Sequence, residues 1–288
     1  KEPEAATDVF AAVTRTGTNS SATVTGVGFP FDTMISKTRN NLGNTALFDR
    51  IRGPLKVMLP NATDAEASRA GTVTSFDQDG FSTAADAENL VNANNYTYVY
   101  QFWKRAKGYM DVVAYTDNSN VGITVNHSLG VIPEMMWLKM RNSAGTEWSV
   151  YHSALPNTSV PRLNQSAVPE INQTRWNSTN PTDTVFSTTE SGGDFIVYLF
   201  ATLAGISKVG SYTGNGSSQT IACGFSAGAR FILIKRTDAS GDWFFWDSVR
   251  GIVAGNDPHL SLNTTAAQVT NDDSVDPHNS GFIVNQVS

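Results

Sequence analysis

Cysteine is almost missing from this chain: Cys223 is the only thiol in 288 residues. No intramolecular disulfide can staple the fold. Stability must come from packed cores and from association. Cys223 sits in the strand-like stretch Thr220-Ile221-Ala222-Cys223-Gly224-Phe225, where a small buried apolar residue is expected rather than a nucleophile. Charge is scarce as well. Asp, Glu, Lys and Arg make up 16% of the chain, against about 25% in an ordinary soluble domain. Ser, Thr, Asn and Gly take their place. Uncharged polar surfaces suit short strands joined by many turns, and chains packed into assemblies where charge is costly to bury.

The 20 basic and 26 acidic residues leave a formal net charge of −6. The basic residues are scattered, which argues against nucleic acid as a partner, because phosphate neutralisation needs clustered cations. The densest spot, Lys104-Arg105-Ala106-Lys107, reads as a solvated linker. No apolar run approaches the ~20 residues of a membrane helix, and no signal-peptide pattern is visible, so membrane insertion is not expected. The chain opens at Lys1 without methionine, as expected of a processed chain or a part of a longer one.

Helical periodicity is nearly absent. Asp64 to Ala70 is predicted to form one or two turns, with Thr264 to Gln268 as a counterpart. Catalytic patterns are missing too. His127, His152, His259 and His278 include no pair at i, i+4, and no nucleophile elbow or glycine-rich phosphate loop occurs. No catalytic, cofactor-binding or metal-ligating residue is therefore assigned, and no cofactor. Asp77-Gln78-Asp79-Gly80 has the clustered oxygens a hard cation needs, but it lacks a downstream glutamate and counterparts elsewhere, so a turn is expected. Asp272, Asp273 and Asp276 read as a solvated loop. Asp49 and Asp247 each precede an arginine by three residues, Arg52 and Arg250, and read as pairs bracing a loop. Trp243-Phe244-Phe245-Trp246, with Trp148 at a matching place, reads as core-filling rather than sugar-stacking. Asn-x-Ser/Thr sequons at Asn61, Asn126, Asn164 and Asn263 follow from composition.

What is present is a repeat. Met34-Ile35-Ser36-Lys37-Thr38-Arg39-Asn40, Met136-Trp137-Leu138-Lys139-Met140-Arg141-Asn142 and Ile232-Leu233-Ile234-Lys235-Arg236-Thr237-Asp238 resemble one another. Lys139 lies 102 residues after Lys37, and Lys235 lies 96 after Lys139. Tyr115-Thr116-Asp117-Asn118 and Tyr212-Thr213-Gly214-Asn215 precede their lysines by 24 and 23 residues. Leu59-Pro60-Asn61, Leu163-Asn164 and Leu262-Asn263 follow in the same order, then Phe81, Phe186 and Phe282. Tyr96 to Phe102 and Phe195 to Phe200 close the first two copies with alternating aromatics; the third copy has no such segment before Ser288. A unit without that strand exposes a sheet edge, so the chain is expected to continue past Ser288 or to have the edge covered by a neighbour.

Within each copy the apolar period is 2, with Asn-Gly, Gly-Asn and Asp-Gly turns. Phe231-Ile232-Leu233-Ile234 and Met135-Met136-Trp137-Leu138 read as strands buried on both faces. The expected fold is all-β: three tandem β-sandwich, jelly-roll-like units of seven or more strands, in residues 1–104, 105–203 and 204–288, the third lacking its last strand. The units are expected in series or around a pseudo-threefold axis.

Tyr212 to Gly216, Phe231 to Lys235, Trp246 to Gly251, Leu260 to Ala266 and Gly281-Phe282 together resemble repeat modules in virion structural proteins of tailed bacteriophages of marine type. The third copy matches best. The first has Arg15 in place of the tyrosine, and the middle copy lacks the Asp–Arg block. The resemblance implies a non-enzymatic virion protein on the particle surface, a tail-fibre or receptor-binding component for host attachment. Its implied partners are other virion proteins, further copies of itself as a homotrimer, and a host surface glycan or receptor. Loops Asn157 to Val160 and Asn177 to Asp183 are the contact candidates, with Asn157, Thr158, Ser159, Asn177, Thr179 and Asn180 at their tips. Weak contacts of this kind combine through effective concentration. Two alternatives are a capsid-decoration protein and, third, a polysaccharide depolymerase with a carboxylate pair in a Trp-lined groove.

Overall fold

The computed structural model describes residues 2–119 and 121–285 and is built of strands, with one short 3-10 turn at Ala6–Asp8. Residues 1–104 hold β1 (Phe10–Thr16), β2 (Ala22–Val24), β3 (Thr33–Thr38), β4 (Ala46–Asp49), β5 (Lys56–Val57), β6 (Ala67–Ser68), β7 (Val73–Asp77), β8 (Gly80–Thr83) and β9 (Thr97–Trp103). Residues 105–203 hold β10 (Met110–Asp117), β11 (Ile123–Asn126), β12 (Met135–Met140), β13 (Ser149–His152), β14 (Val185–Thr188) and β15 (Gly193–Phe200). Residues 204–288 hold β16 (Gln219–Ala222), β17 (Phe231–Lys235), β18 (Trp243–Asp247), β19 (Leu260–Ser261), β20 (Val275–His278) and β21 (Gly281–Val284).

The sheets are small and antiparallel, and their order recurs. One is β1-β9-β3-β4 and another β10-β15-β12-β13. The lysines occupy matching rungs: Lys37 opposite Val99, Lys139 opposite Ile196. A second set is β2-β8-β7, β11-β14 and β16-β21-β20. In the last third the lysine-bearing β17 pairs with β18 alone, in the sheet β17-β18-β19.

Strand alternation accounts for where the core sits. Successive side chains of a strand point to opposite faces. On β9, Tyr98, Tyr100 and Phe102 enter a cluster with Phe31, Phe48 and Phe81, drawn wholly from residues 1–104. The intervening Val99 and Trp103 enter a different cluster. β15 does the same: Phe195, Val197 and Leu199 face Trp176 and Phe186, while Ile196 and Tyr198 join Val99 and Trp103. That shared cluster also takes Ile35, Leu47, Met110, Trp137, Trp148, Trp243, Phe245 and Leu260, so all three repeats build it. β9 and β15 are thus buried on both faces, which is why their sequences are nearly continuous in aromatic and β-branched residues. A fourth, smaller cluster of Ile232, Trp246, Val275, Phe282 and Val284 belongs to the last third.

Turn chemistry follows the sequence at Gly80. Its φ is +145°, and an added Cβ would sit 1.9 Å from the Val24 carbonyl oxygen, so only glycine lets β2 pass this close.

Several expectations are corrected. Asp64 to Ala70 is extended, with Ala67–Ser68 paired to Lys56–Val57, and Thr264 to Gln268 is not helical either. Both segments spend their backbone groups on neighbouring repeats: Glu66 N–H donates to Arg141 O, and Gln268 N–H to Arg39 O. Among the described residues, the second and third copies carry six strands each rather than seven. β17 is buried fully only at Ile232, unlike β12, whose four central residues are buried; among the described residues no strand pairs with its far edge. Lys104 to Lys107 is not a free linker: Lys104 N–H donates to Val9 O, Arg105 N–H to Asp32, and Arg105 pairs with Asp111. Cys223 is half-buried at the edge of the fourth cluster rather than within it.

Candidate functional site

The residues that stand out in the sequence have structural partners that recur from copy to copy. The asparagines of the Leu-Asn landmarks are equivalent. Asn61, Asn164 and Asn263 each accept a backbone N–H through Oδ1, from Thr45 (2.8 Å), Trp148 (3.1 Å) and Trp243 (2.8 Å). Each donates its amide to an acid or amide beside that residue: Asn44, Glu147 and Asp242. These asparagines tie the landmark loop back to the start of the preceding strand, β4, β13 or β18, a role that the sequon reading missed.

The repeated lysines do two things at once. Lys37 Nζ donates to Gly43 O (3.1 Å), closing its own hairpin loop, and to Thr264 O (2.6 Å) of the third repeat. Lys139 Nζ donates to Thr146 O (2.8 Å) and to Thr63 O (3.3 Å) of the first. Lys235 Nζ donates to Gly241 O (2.7 Å) and to Ser166 O (2.9 Å) of the second. The backbone repeats the hand-off: Gly43 N–H to Thr265 O, Gly145 N–H to Thr63 O, Gly241 N–H to Ser166 O. Trp148 Nε1 reaches Leu59 O, Trp243 Nε1 reaches Arg162 O, and Thr45 Oγ1 reaches Leu262 O. First contacts third, second contacts first, third contacts second. Burial lowers the Lys37 and Lys139 ammonium groups to about 8, with Glu147 opposing the shift at Lys139.

The Asp–Arg pairs are closed to solvent. Asp49 Oδ2 accepts from Arg52 Nε (2.5 Å) and from the hydroxyl of Tyr198 (2.6 Å), which comes from the second repeat. Asp247 Oδ2 accepts from Arg250 Nε (2.7 Å) and from Gln101 Nε2 (2.9 Å), which comes from the first. Both arginines also donate to a strand carbonyl, Leu47 O and Phe245 O. Burial disfavours the Arg52 charge, but Asp49, Tyr198 and Glu66 outweigh it and raise its pKa; at Arg250 burial wins and lowers it. Tyr198 is held neutral, mainly by burial. A carboxylate with its lone pairs committed to a guanidinium and a neutral donor, away from water, fixes a loop and has no route to a substrate. In the middle copy the corresponding place carries His152, and Arg162 instead binds Ser149 Oγ (2.6 Å) and Glu170.

The acidic turns are also internally satisfied. Asp77 accepts from Ser75 (2.7 Å) and Ser82 (2.8 Å), and Asp79 from Gly26 N–H (3.1 Å) and Gly28 N–H (2.5 Å). Among the described residues no group of three or more His, Cys, Asp or Glu is placed to hold a metal ion. Trp148, Trp243 and Trp246 are buried.

The two contact loops do come together. Asn157 Nδ2 donates to Asn180 Oδ1 (3.0 Å), and Gln173 N–H to Thr158 O (2.9 Å). Asn177, Thr179 and Asn180 are exposed, whereas Asn157 and Thr158 are half-buried. Ser159 is 8% exposed and turns inward, so its side chain is not presented for contact. Asn177 and Ser178 adopt left-handed φ of +50° and +47°, a conformation asparagine tolerates well. The ridge is anchored from below by Trp176, buried and edge-on to Tyr151 at 5.8 Å. Trp176 is the residue missed at this place; its only sequence signal was a lone tryptophan amid polar residues.

A family model described as a domain of unknown function (DUF7483) matches residues 5–288. No curated protein and no solved structure matches the chain.

Proposed function

We propose, on the premise that this chain belongs to the DUF7483 family, that it is a non-enzymatic structural protein of a virion: a tail-fibre or receptor-binding component. Its three repeats, residues 1–104, 105–203 and 204–288, are three sheet-on-sheet units closed into a ring. The observation that carries this reading is the one-way circuit of lysine and glycine hydrogen bonds, first repeat to third, second to first and third to second, joined by tryptophan bonds from the second and third. It is supported by the shared aromatic cluster and by the resemblance of the repeated blocks to phage virion modules. Carboxylates and tryptophans that an enzyme would turn toward a groove are spent inside the ring. The outward polar ridge of Asn177, Thr179 and Asn180 is the contact surface for a host glycan or receptor. Immunogold labelling of whole particles tests the reading. Label along the tail supports it, label over the head transfers the chain to capsid decoration, and particles without label overturn both.

A further inference from the structure

We infer that the seam where the first repeat meets the third is a binding site for a small carboxylate, held between Arg39 and Arg250. The site does not depend on the virion reading above. The counterpart seam, where the second repeat meets the first, carries such a carboxylate on the chain itself. There Glu66 N–H donates to Arg141 O (2.7 Å). The Glu66 side chain takes both arms of Arg141, Oε2 from Nε (2.9 Å) and Oε1 from Nη2 (3.2 Å). The same Oε2 lies 3.6 Å from Nη1 of Arg52, whose side chain is closed to solvent. Two guanidinium groups thus share one carboxylate, and one of them is gripped fork to fork.

At the other seam the backbone is the same and the acid is replaced. Gln268 N–H donates to Arg39 O (2.8 Å), as Glu66 N–H does to Arg141 O. Arg39 follows its repeat lysine by two residues, as Arg141 does, and Arg250 follows its repeat aspartate by three, as Arg52 does. Gln268 accepts one bond, from Arg39 Nε to Oε1 (2.9 Å). An amide has a single oxygen, and its nitrogen donates, so the second arm of the fork is lost. Arg250 Nη1 is buried without a hydrogen-bond partner, and the Arg250 side chain is 0% exposed. Glu66 helps to raise the Arg52 pKa, whereas Arg39 adds to the burial that lowers that of Arg250. Asp247 and Asp257 oppose that lowering. Asp247 is already shared with Gln101, and Asp257 gives Oδ1 to the N–H groups of Ser274 and Val275. A buried guanidinium arm without an acceptor is costly, and a carboxylate recovers that cost. Arg39 and Gln268 are half-buried, so the site opens to solvent on their side. Binding exchanges the Gln268 carboxamide for a carboxylate of acetate size, which accepts from Arg39 and reaches Arg250 Nη1.

Sodium acetate, titrated against sodium chloride at constant ionic strength, is the probe, and the Nε–Hε resonances of the arginines in the nitrogen-15-labelled chain are the readout. Those of Arg39 and Arg250 should shift and saturate, while those of Arg52 and Arg141 stay in place. Arg39→Gln should weaken the acetate affinity by at least about tenfold, the loss of a charge-assisted bond. Gln268→Glu supplies the acid from the chain and should abolish the response at Arg250. Glu66→Gln should transfer the response to Arg52 and Arg141. Shifts that rise linearly in all four arginines, or are missing at Arg39 and Arg250, overturn the site. A response at Arg250 that survives in Gln268→Glu overturns it as well. So does a Glu66→Gln chain in which Arg52 and Arg141 stay silent, since the two seams would then not be alike.

Discussion

Asp49 shows how a single side chain is committed. Its carboxylate holds Arg52, whose side chain is fully buried, and takes the Tyr198 hydroxyl from another repeat. Removing the acid leaves a guanidinium without its counter-charge, a change worth about 3–5 kcal/mol. Asp49→Ala is expected to lower the urea midpoint accordingly, and Asp49→Leu with Arg52→Met to recover part of the loss; equal midpoints for the single variant and the parent would refute the bracing role. The lysines give a pH signature. Lys37 and Lys139 stand at about 8 when folded against an ordinary 10.5. Between those values the unfolded chain retains protons that the folded chain has released, so stability rises with pH across that window and the burial cost is complete below it. The stability of the parent relative to Lys37→Met should increase from about pH 7 to about pH 9.5. A pH-independent difference between the two, measured by urea unfolding, would contradict the burial of the ammonium.

Strands differ in what they can lose. Ile196 is buried on β15 between two clusters, whereas Ile234 on β17 is half-buried. Ile196→Ala should cost about 2–5 kcal/mol and Ile234→Ala distinctly less, as read from thermal melts of the two variants; equal losses would mean that the β17 edge is covered. At this scale much was legible in the sequence. Alternation in Tyr96 to Phe102 and in Phe195 to Phe200 marks strands, and the lysine spacing aligns the copies. The helix expected at Asp64 to Ala70 was a misreading of a real pattern: its Ala-rich, charged composition favours a helix locally, but Glu66 is claimed by Arg141 and Arg52 and Thr63 O by Lys139. Tertiary partners lie outside any local window, so composition alone misassigns such a segment. Ser159 failed as a contact residue for the same reason. Its loop is polar in sequence, but the side chain is folded inward beside the buried Val160 and Pro161.

For the molecule as a whole, the cluster shared by all three repeats governs cooperativity. Ile35, Leu47, Trp137, Trp148, Trp243 and Phe245 lie in it together, so no third of the chain keeps its apolar face covered when the others unfold. Calorimetry should record one transition whose van't Hoff and calorimetric enthalpies agree; three separable transitions would show that the units stand alone. The direction of the lysine circuit has a further consequence. Each repeat is at once a donor to one of the other two and an acceptor from the remaining one, whereas in a solenoid each repeat touches only its neighbours along a row. Deleting one copy strands an ammonium on one side and a carbonyl on the other in the same event. The repeated sequences are thereby free to drift apart only at positions through which no such bond passes.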